Sequence, residues 1–471
     1  MMSEVVMGSL AQVAQWVNGA QVKTEQRAVT FNRVCTDTRT VQEGDVFVAI
    51  KGERFDAHDF LSELELGQVS AVIATHVPDG FELPYVLVSD TRTALQQLAH
   101  GWRMRFNLPL VVVTGSNGKT TVKEMIASIL HAAHGGDYLA TRGNFNNDIG
   151  LPMTLLNLTA EHRAAVIELG MNHPGETAEL APLAAPTVAL INNAQREHQE
   201  FMQTVQAVAE EHADVLNALP KAGVAVFPAD DAHAGVWRAR AVERELTVYD
   251  FSLNEHAGAA FTARYELGLH ASTVQLVTPQ GQCTTQLNIP GVHNVHNALA
   301  ACAAASAMNV PLDVIAQGLS AFLPAKGRLQ THRLGDGVTL IDDTYNANPD
   351  SVRAAIDVLA GSAGRKILVL GDMGEVGDQG QAFHEEIGAY AKTRGIDVFV
   401  AAGELMRFAV ASFGMGAQHM DDVEAIAAAV VGHMQTGAAH TILIKGSRFM
   451  GMERVVAALL SASESLNSTQ S

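Results

Sequence analysis

The run Val111-Val-Val-Thr114-Gly115-Ser116-Asn117-Gly118-Lys119-Thr120-Thr121 collects the residue types that hold a polyphosphate. Glycines let a backbone wrap closely round an anion, and a helix opening just after them would point its free N–H groups at it. Lys119 adds a point charge, and the Thr120 hydroxyl suits a magnesium ion bridging the terminal phosphates. The spacing, GxxGKT, is shorter than the common GxxxxGK[ST], so the reading rests on context. A buried-type strand precedes the loop, and the following segment places Val122, Met125, Ile126, Ile129 and Leu130 on one helical face. The plainer alternative is a glycine-rich strand-to-helix turn that binds nothing.

Two further strand ends carry polar groups. Val166-Ile-Glu168-Leu-Gly170 puts a carboxylate where an unpaired charge would be costly, and Ile191-Asn192-Asn193 is followed shortly by His198. Glu168 taken singly could be a structural ion-pair partner, and His198 a solvated loop residue. With the phosphate loop they form a candidate magnesium–triphosphate site.

These groups need a scaffold, and the sequence divides into three α/β blocks. Residues 1–107 hold short strand-like runs (Asp45 to Ile50, Ala71 to Ala74, Tyr85 to Val88) between turn-rich loops. In residues 108–325, buried-type strands (Leu110 to Thr114, Ala165 to Leu169, Val188 to Asn192, Val224 to Phe227) alternate with helical patterns. That alternation predicts a mostly parallel sheet covered on both faces. Residues 326–471 repeat the logic at Val338 to Asp342, Lys366 to Leu370, Val398 to Ala402 and Thr441 to Ile444, with a Ser/Asn/Gln-rich tail from about Ser461 expected to fray. In such sheets ligands sit beyond the carboxyl ends of the strands. The expected fold is therefore a small α/β N-terminal domain, a central P-loop-type parallel-sheet ATPase domain and a Rossmann-like C-terminal domain.

The bulk numbers narrow the partners. A net charge of −19 over 471 residues speaks against nucleic acid or an anionic membrane as the main partner. Cys35, Cys283 and Cys302 are too scattered for a disulfide framework or a metal site. The opening MMSEVVMGSLAQ lacks a basic run followed by an apolar stretch, so no secretory leader is expected. A cytoplasmic, monomeric protein acting on small molecules is the expectation.

The motifs TGSNGKTT, GNFNNDIGLP (Gly143 to Pro152), IELGMNHPGE (Ile167 to Glu176), GVHNVHNALAA (Gly291 to Ala301), DDTYNANPDS (Asp342 to Ser351), LGDMGEVG (Leu370 to Gly377) and IKGSR (Ile444 to Arg448) occur in the order found in the Mur ligases. The chain resembles that family along nearly its whole length. The resemblance implies an ATP- and Mg²⁺-dependent ligase that activates a carboxylate as an acyl phosphate. The YNANP and GNFNN runs point to the branch that joins D-alanyl-D-alanine to a UDP-N-acetylmuramoyl-tripeptide. Other amino-acid-adding ligases of the family are the near rivals, and a nucleotide-sensing switch the distant one.

Carried over by resemblance, Gly115, Ser116, Asn117, Gly118, Lys119, Thr120 and Thr121 hold the triphosphate, with Lys119 at its β/γ end. Thr120 and Glu168 take one Mg²⁺ and His198 a second. Asn294 and Asn297 meet the adenine, Asp343 the ribose, Arg328 the phosphates, and Asn147 lies near the acyl phosphate. Thr36, Asp37, Thr38, Arg39, Phe47 and Lys51 resemble a uridine-nucleotide strip, and Tyr345, Asn346, Lys445 and Ser447 lie near D-alanyl-D-alanine. Asn147 could instead cap a turn, and Arg328 could merely link domains. Many Mur ligases hold the second magnesium with a carbamoylated lysine. Here His212, in Val208-Ala-Glu-Glu-His212-Ala-Asp, falls in its place. Two readings follow: His212 lies by the second metal without a carbamate, helped by Glu210, Glu211 or Asp214, or it sits on a solvated helix face.

Overall fold

Apolar runs become the inner strands of three sheets in a computed structural model that describes residues 6–52, 54–64, 67–335, 337–434 and 439–469. Among those residues the first sheet has the order Gln21–Val22, Tyr85–Leu87, Ala71–Ala74, Asp45–Val48, Arg33–Cys35, parallel except at Gln21–Val22. The central sheet runs Gly281–Leu287, Ser272–Thr278, Phe261–Glu266, Thr247–Ser252, Val224–Pro228, Val188–Ile191, Leu110–Thr114, Ala164–Glu168, Tyr138–Ala140. The third runs Gln330–Gly335, Val338–Asp343, His440–Lys445, Arg365–Gly371, Val398–Ala402, Ala417–Met420.

All five residues of the strand Leu110–Thr114 are buried, and they alternate between its two faces. Val111 and Val113 pack with Met125, Ile126 and Ala298, whereas Leu110 and Val112 pack with Leu95, Leu151 and Leu180 on the other face. Both faces are covered, which is why these strands read as continuous apolar runs. The helix Leu312–Ala321 lies so close to the phosphate-loop helix Lys119–His134 that a Cβ at Gly318 would fall 2.4 Å from Ile129 Cα. Register sets the site: Glu168 pairs with Val113, and Ile191 with Thr114, so three strand ends stand level.

The expected mostly parallel central sheet is present, while the covering of one edge and the tail differ from expectation. The central sheet ends in an antiparallel pair of hairpin strands, Ser272–Thr278 and Gly281–Leu287, which leave one face half open to solvent. The Ser/Asn/Gln-rich tail continues a helix, Glu453–Thr469, because Val455, Val456 and Leu459 are buried against the third sheet.

Candidate active site

The strand Leu110–Thr114 delivers the chain to Gly115 and Gly118, whose φ angles of 128° and 82° need glycine. A Cβ on Gly118 would fall 2.6 Å from both Asn192 Nδ2 and Asn297 Oδ1. Those asparagines brace the loop: Asn192 Nδ2 donates to Asn117 O and Asn297 Oδ1, and Asn117 N donates to Asn193 Oδ1. The helix then opens at Lys119 with its N–H groups toward the loop, a favourable seat for anionic oxygens. Lys119 Nζ folds back onto Gly115 O (2.6 Å), Ser116 O (3.2 Å) and Glu197 Oε2 (3.1 Å).

Beside it, Thr120 Oγ1 donates to Glu168 Oε1 at 3.1 Å, and Asn146 Nδ2 donates to the same oxygen at 2.8 Å. Glu168 is 2% exposed, yet its Oε2 has no hydrogen-bond partner. A buried, unpartnered carboxylate oxygen next to a hydroxyl fits a hard divalent cation, which takes oxygen ligands and completes its shell with phosphate and water. Among the described residues no three His, Cys, Asp or Glu side chains converge as a ready metal site. The donor set is therefore partial until a triphosphate adds its oxygens.

The third block closes over this loop. Arg328 Nη2 donates to Thr120 Oγ1 at 3.3 Å, its guanidinium 4.1 Å from the Tyr345 ring centroid. Asn117 and Asn348 exchange side-chain hydrogen bonds of 3.3 and 2.9 Å. Arg196 reaches across to Asp350 (2.6 Å) and Glu386 (2.7 Å), and these contacts hold its pKa above the ordinary range, the Asp350 hydrogen bond most of all. His198 Nδ1 lies 2.6 Å from Glu375 Oε2, although off the direction of a good hydrogen bond. Both residues have positive φ, 47° and 56°, a conformation non-glycine residues adopt at a cost and one that clusters at functional sites.

The result is a polar cleft of about 420 Å³ lined by Lys119, Thr120, Asn147, Glu168, His198, Arg328, Tyr345, Asn346 and Lys445. A second cavity of about 490 Å³ adjoins it, lined by Asn294, Asn297, His293, His296, Asp343 and Asp230. Burial pushes both imidazoles down to about 4, so they are neutral at neutral pH.

Several of the expected site residues also make contacts within the protein. Asn147 Oδ1 accepts from Gly150 N at 2.8 Å, so it caps a turn while also lining the cleft. Asp343 Oδ2 accepts from Lys445 Nζ at 2.6 Å, and Oδ1 from Leu329 N. Lys445, which lines the cleft, also holds Asn346 O, and Ser447 donates to Ala347 O; both are buried. Asn294 is 1% exposed and holds Pro290 O and Asn297 Nδ2.

In the first block, Asp37 caps a short turn at Thr38–Thr40 and pairs with Arg39, which holds its carboxyl down at about 2. Phe47 corrects the expectation: it is fully buried among Leu61, Val69 and Val72 and offers no surface to a ligand. Thr36 and Lys51 lie outside the cleft, but Arg92 joins Lys51 O to the Asp148 carboxylate at the cleft edge.

His212 overturns the solvated-face reading. It has no exposed surface; Nδ1 contacts Thr114 Oγ1 (3.1 Å) and Nε2 contacts Glu197 Oε1 (3.0 Å), so neither ring nitrogen is left for a metal. Glu211 accepts from Gly175 N and Thr177 N, Asp214 pairs with Arg240, and Glu210 accepts from Gln206. None of the three is available to the cleft. Glu197 is the residue the sequence reading missed. Burial alone would raise its carboxyl, but the Lys119 charge and the His212 contact outweigh that and hold it at about 2. The signal was the charged run Arg196-Glu197-His198 just past a buried strand end.

With that geometry in place, comparison with known proteins is decisive. Residues 113–305 match the Mur ligase middle domain, and residues 327–448 match the Mur ligase, glutamate ligase domain. The UDP-N-acetylmuramoyl-tripeptide–D-alanyl-D-alanine ligase of Escherichia coli (strain K12) is 40% identical over 452 residues, 96% of this chain and 98% of that protein. The ligase of the same name from Bacillus subtilis (strain 168) is 32% identical over 97% of this chain and 99% of its own. A crystal structure of MurF from Acinetobacter baumannii superposes with a TM-score of 0.90 at 35% identity, covering 96% of this chain and 99% of that one. The Thermotoga maritima MurF ligase in complex with ADP gives 0.81 at 26% identity, over 92% and 98%. The chain belongs to the Mur ligase family.

Proposed function

We propose that this chain is an ATP-dependent, ADP-forming ligase. It joins D-alanyl-D-alanine to the free carboxylate of a UDP-N-acetylmuramoyl-tripeptide, in the cytoplasmic part of peptidoglycan precursor synthesis. The observation that carries this is the cleft itself: the phosphate loop, Thr120 and Glu168 on one wall face Arg328, Tyr345 and Asn346 on the other. Relatives bearing that activity in their names, alike over nearly the whole chain, support the same substrates.

In this reading residues 1–107 bind the UDP end, 108–325 the ATP, and 326–471 the dipeptide, and the enzyme works as a monomer. The triphosphate lies along Gly115 to Thr121, where Lys119 exchanges Glu197 and the loop carbonyls for the β/γ phosphates. Thr120 and Glu168 would hold a magnesium ion, which would supply neutralising charge to the phosphate oxygens. Arg328 adds its charge from the third block. The tripeptide carboxylate attacks the γ-phosphorus, ADP leaves, and the dipeptide amine then attacks the acyl phosphate and expels phosphate. The protein's share is positioning and fixed charge, and closure of the third block keeps water from hydrolysing the intermediate. Mass spectrometry of a mixture of ATP, UDP-N-acetylmuramoyl-tripeptide and D-alanyl-D-alanine tests this. The pentapeptide product and ADP are expected; ATP turnover without either co-substrate would overturn it.

A further inference from the structure

Glu197 is 5% exposed, and a carboxylate so buried needs a compensating cation. Its Oε2 meets Lys119 Nζ at 3.1 Å and stands 3.8 Å from His198 Nε2, on the cleft wall that also carries Thr120 and Glu168. Its other oxygen faces away from the cleft to His212 Nε2, whose ring is fixed from behind by the Thr114 hydroxyl at the end of the phosphate-loop strand. A neutral imidazole donating from Nε2 and accepting at Nδ1 satisfies both contacts, so the carboxylate is locked with one oxygen anchored and the other turned to the cleft. If Lys119 moves onto a triphosphate, Glu197 loses its ammonium partner while remaining buried. A cation arriving with the nucleotide restores the balance.

We propose that Glu197 supplies the carboxylate oxygen of a second divalent-cation site beside His198, with His212 and Thr114 as its positioning residues. Imidazole is a weak partner for hard Mg²⁺, whereas a carboxylate oxygen is a strong one, so His198 on its own makes a poor site. The other acids nearby are engaged elsewhere: Glu211 on Gly175 N and Thr177 N, Asp214 on Arg240, Glu210 on Gln206. Glu375 contacts the far side of the His198 ring, at Nδ1, leaving Nε2 toward Glu197. His212 thus acts on the metal through a carboxylate instead of ligating it.

This rests on the ATP-ligase reading, and the test separates the two. Mn²⁺ replaces Mg²⁺, and bound Mn²⁺ is counted by electron paramagnetic resonance with the full-length protein and a β,γ-methylene ATP analogue. The wild type should bind two Mn²⁺ ions with strong spin–spin broadening. Glu197→Gln should keep the first and weaken the second by about tenfold or more, the scale on which metal-site groups act. Glu197→Asp, which keeps the charge and withdraws the oxygen, should do the same while holding the fold. His212→Gln, which can still donate to Glu197, should retain more of the second ion than His212→Ala. A second ion bound as tightly in both Glu197 variants as in the wild type would overturn the proposal, as would a single ion in the wild type. Failure of the wild type to bind the nucleotide analogue at all would instead overturn the ATP reading.

Discussion

Arg196→Ala removes a charged clasp between the central and third blocks. The guanidinium makes charge-assisted contacts of 2.6 to 3.2 Å to Asp350 and 2.7 and 3.2 Å to Glu386, and its backbone N–H donates to Asp350 at 2.9 Å. Its side chain is 23% exposed, so water weakens each contact without abolishing it. Hydrogen bonds to charged groups contribute about 1.5–3 kcal/mol, and discounting for exposure leaves about 2 kcal/mol for the clasp as a whole. At 1.4 kcal/mol per factor of ten, closure should fall by about 30-fold, read as lost kcat/KM. The assay is steady-state kinetics on Arg196→Ala, Asp350→Asn and the double variant. A coupling energy of about 1 kcal/mol is expected for the Arg196–Asp350 pair, Glu386 holding the rest of the clasp, with far-ultraviolet circular dichroism unchanged. Single-variant losses that add without coupling would refute the clasp.

Three further outcomes follow from the same contacts. Lys119→Ala should abolish ligation in a folded protein; activity surviving within about tenfold, a loss under about 1.4 kcal/mol, would refute the phosphate-loop assignment. Glu197, held at about 2 against an ordinary 4.5, contributes stability that is present above the unfolded value and lost as pH falls through the folded one. The gap in urea midpoint between wild type and Glu197→Gln should therefore reflect about 3 kcal/mol near pH 6 and shrink between pH 4.5 and 2; a pH-independent gap would refute it. Because a buried histidine stands at position 212, bicarbonate added to CO₂-stripped enzyme should leave the rate unchanged, and a restored rate would contradict that.

Much of the scaffold was legible because buried strands announce themselves. Leu110–Thr114, Ala71–Ala74 and Val398–Ala402 fall where uninterrupted apolar runs predict them, bounded by glycine or aspartate loops. The phosphate loop was legible from two glycines, a lysine and a threonine in sequence order. What stayed hidden depends on partners distant in the chain. Asp343 and Lys445 look like ligand contacts separately, but adjacent strand register makes them each other's partner. Phe47 looks available in a polar strip, but both faces of its strand are covered, so it packs into the core. Glu197 and His212 are 15 residues apart, and only the return of the helix Val205–Ala213 to the strand end brings them together.

The central claim is that the tripeptide carboxylate becomes an acyl phosphate in this cleft, and oxygen transfer tests it most directly. UDP-N-acetylmuramoyl-tripeptide carrying oxygen-18 in its terminal carboxylate is incubated with ATP and D-alanyl-D-alanine, and the released phosphate is weighed by mass spectrometry. Attack of that carboxylate on the γ-phosphorus, followed by expulsion of phosphate, predicts one labelled oxygen in each phosphate released. Unlabelled phosphate alongside pentapeptide formation would contradict the acyl-phosphate route.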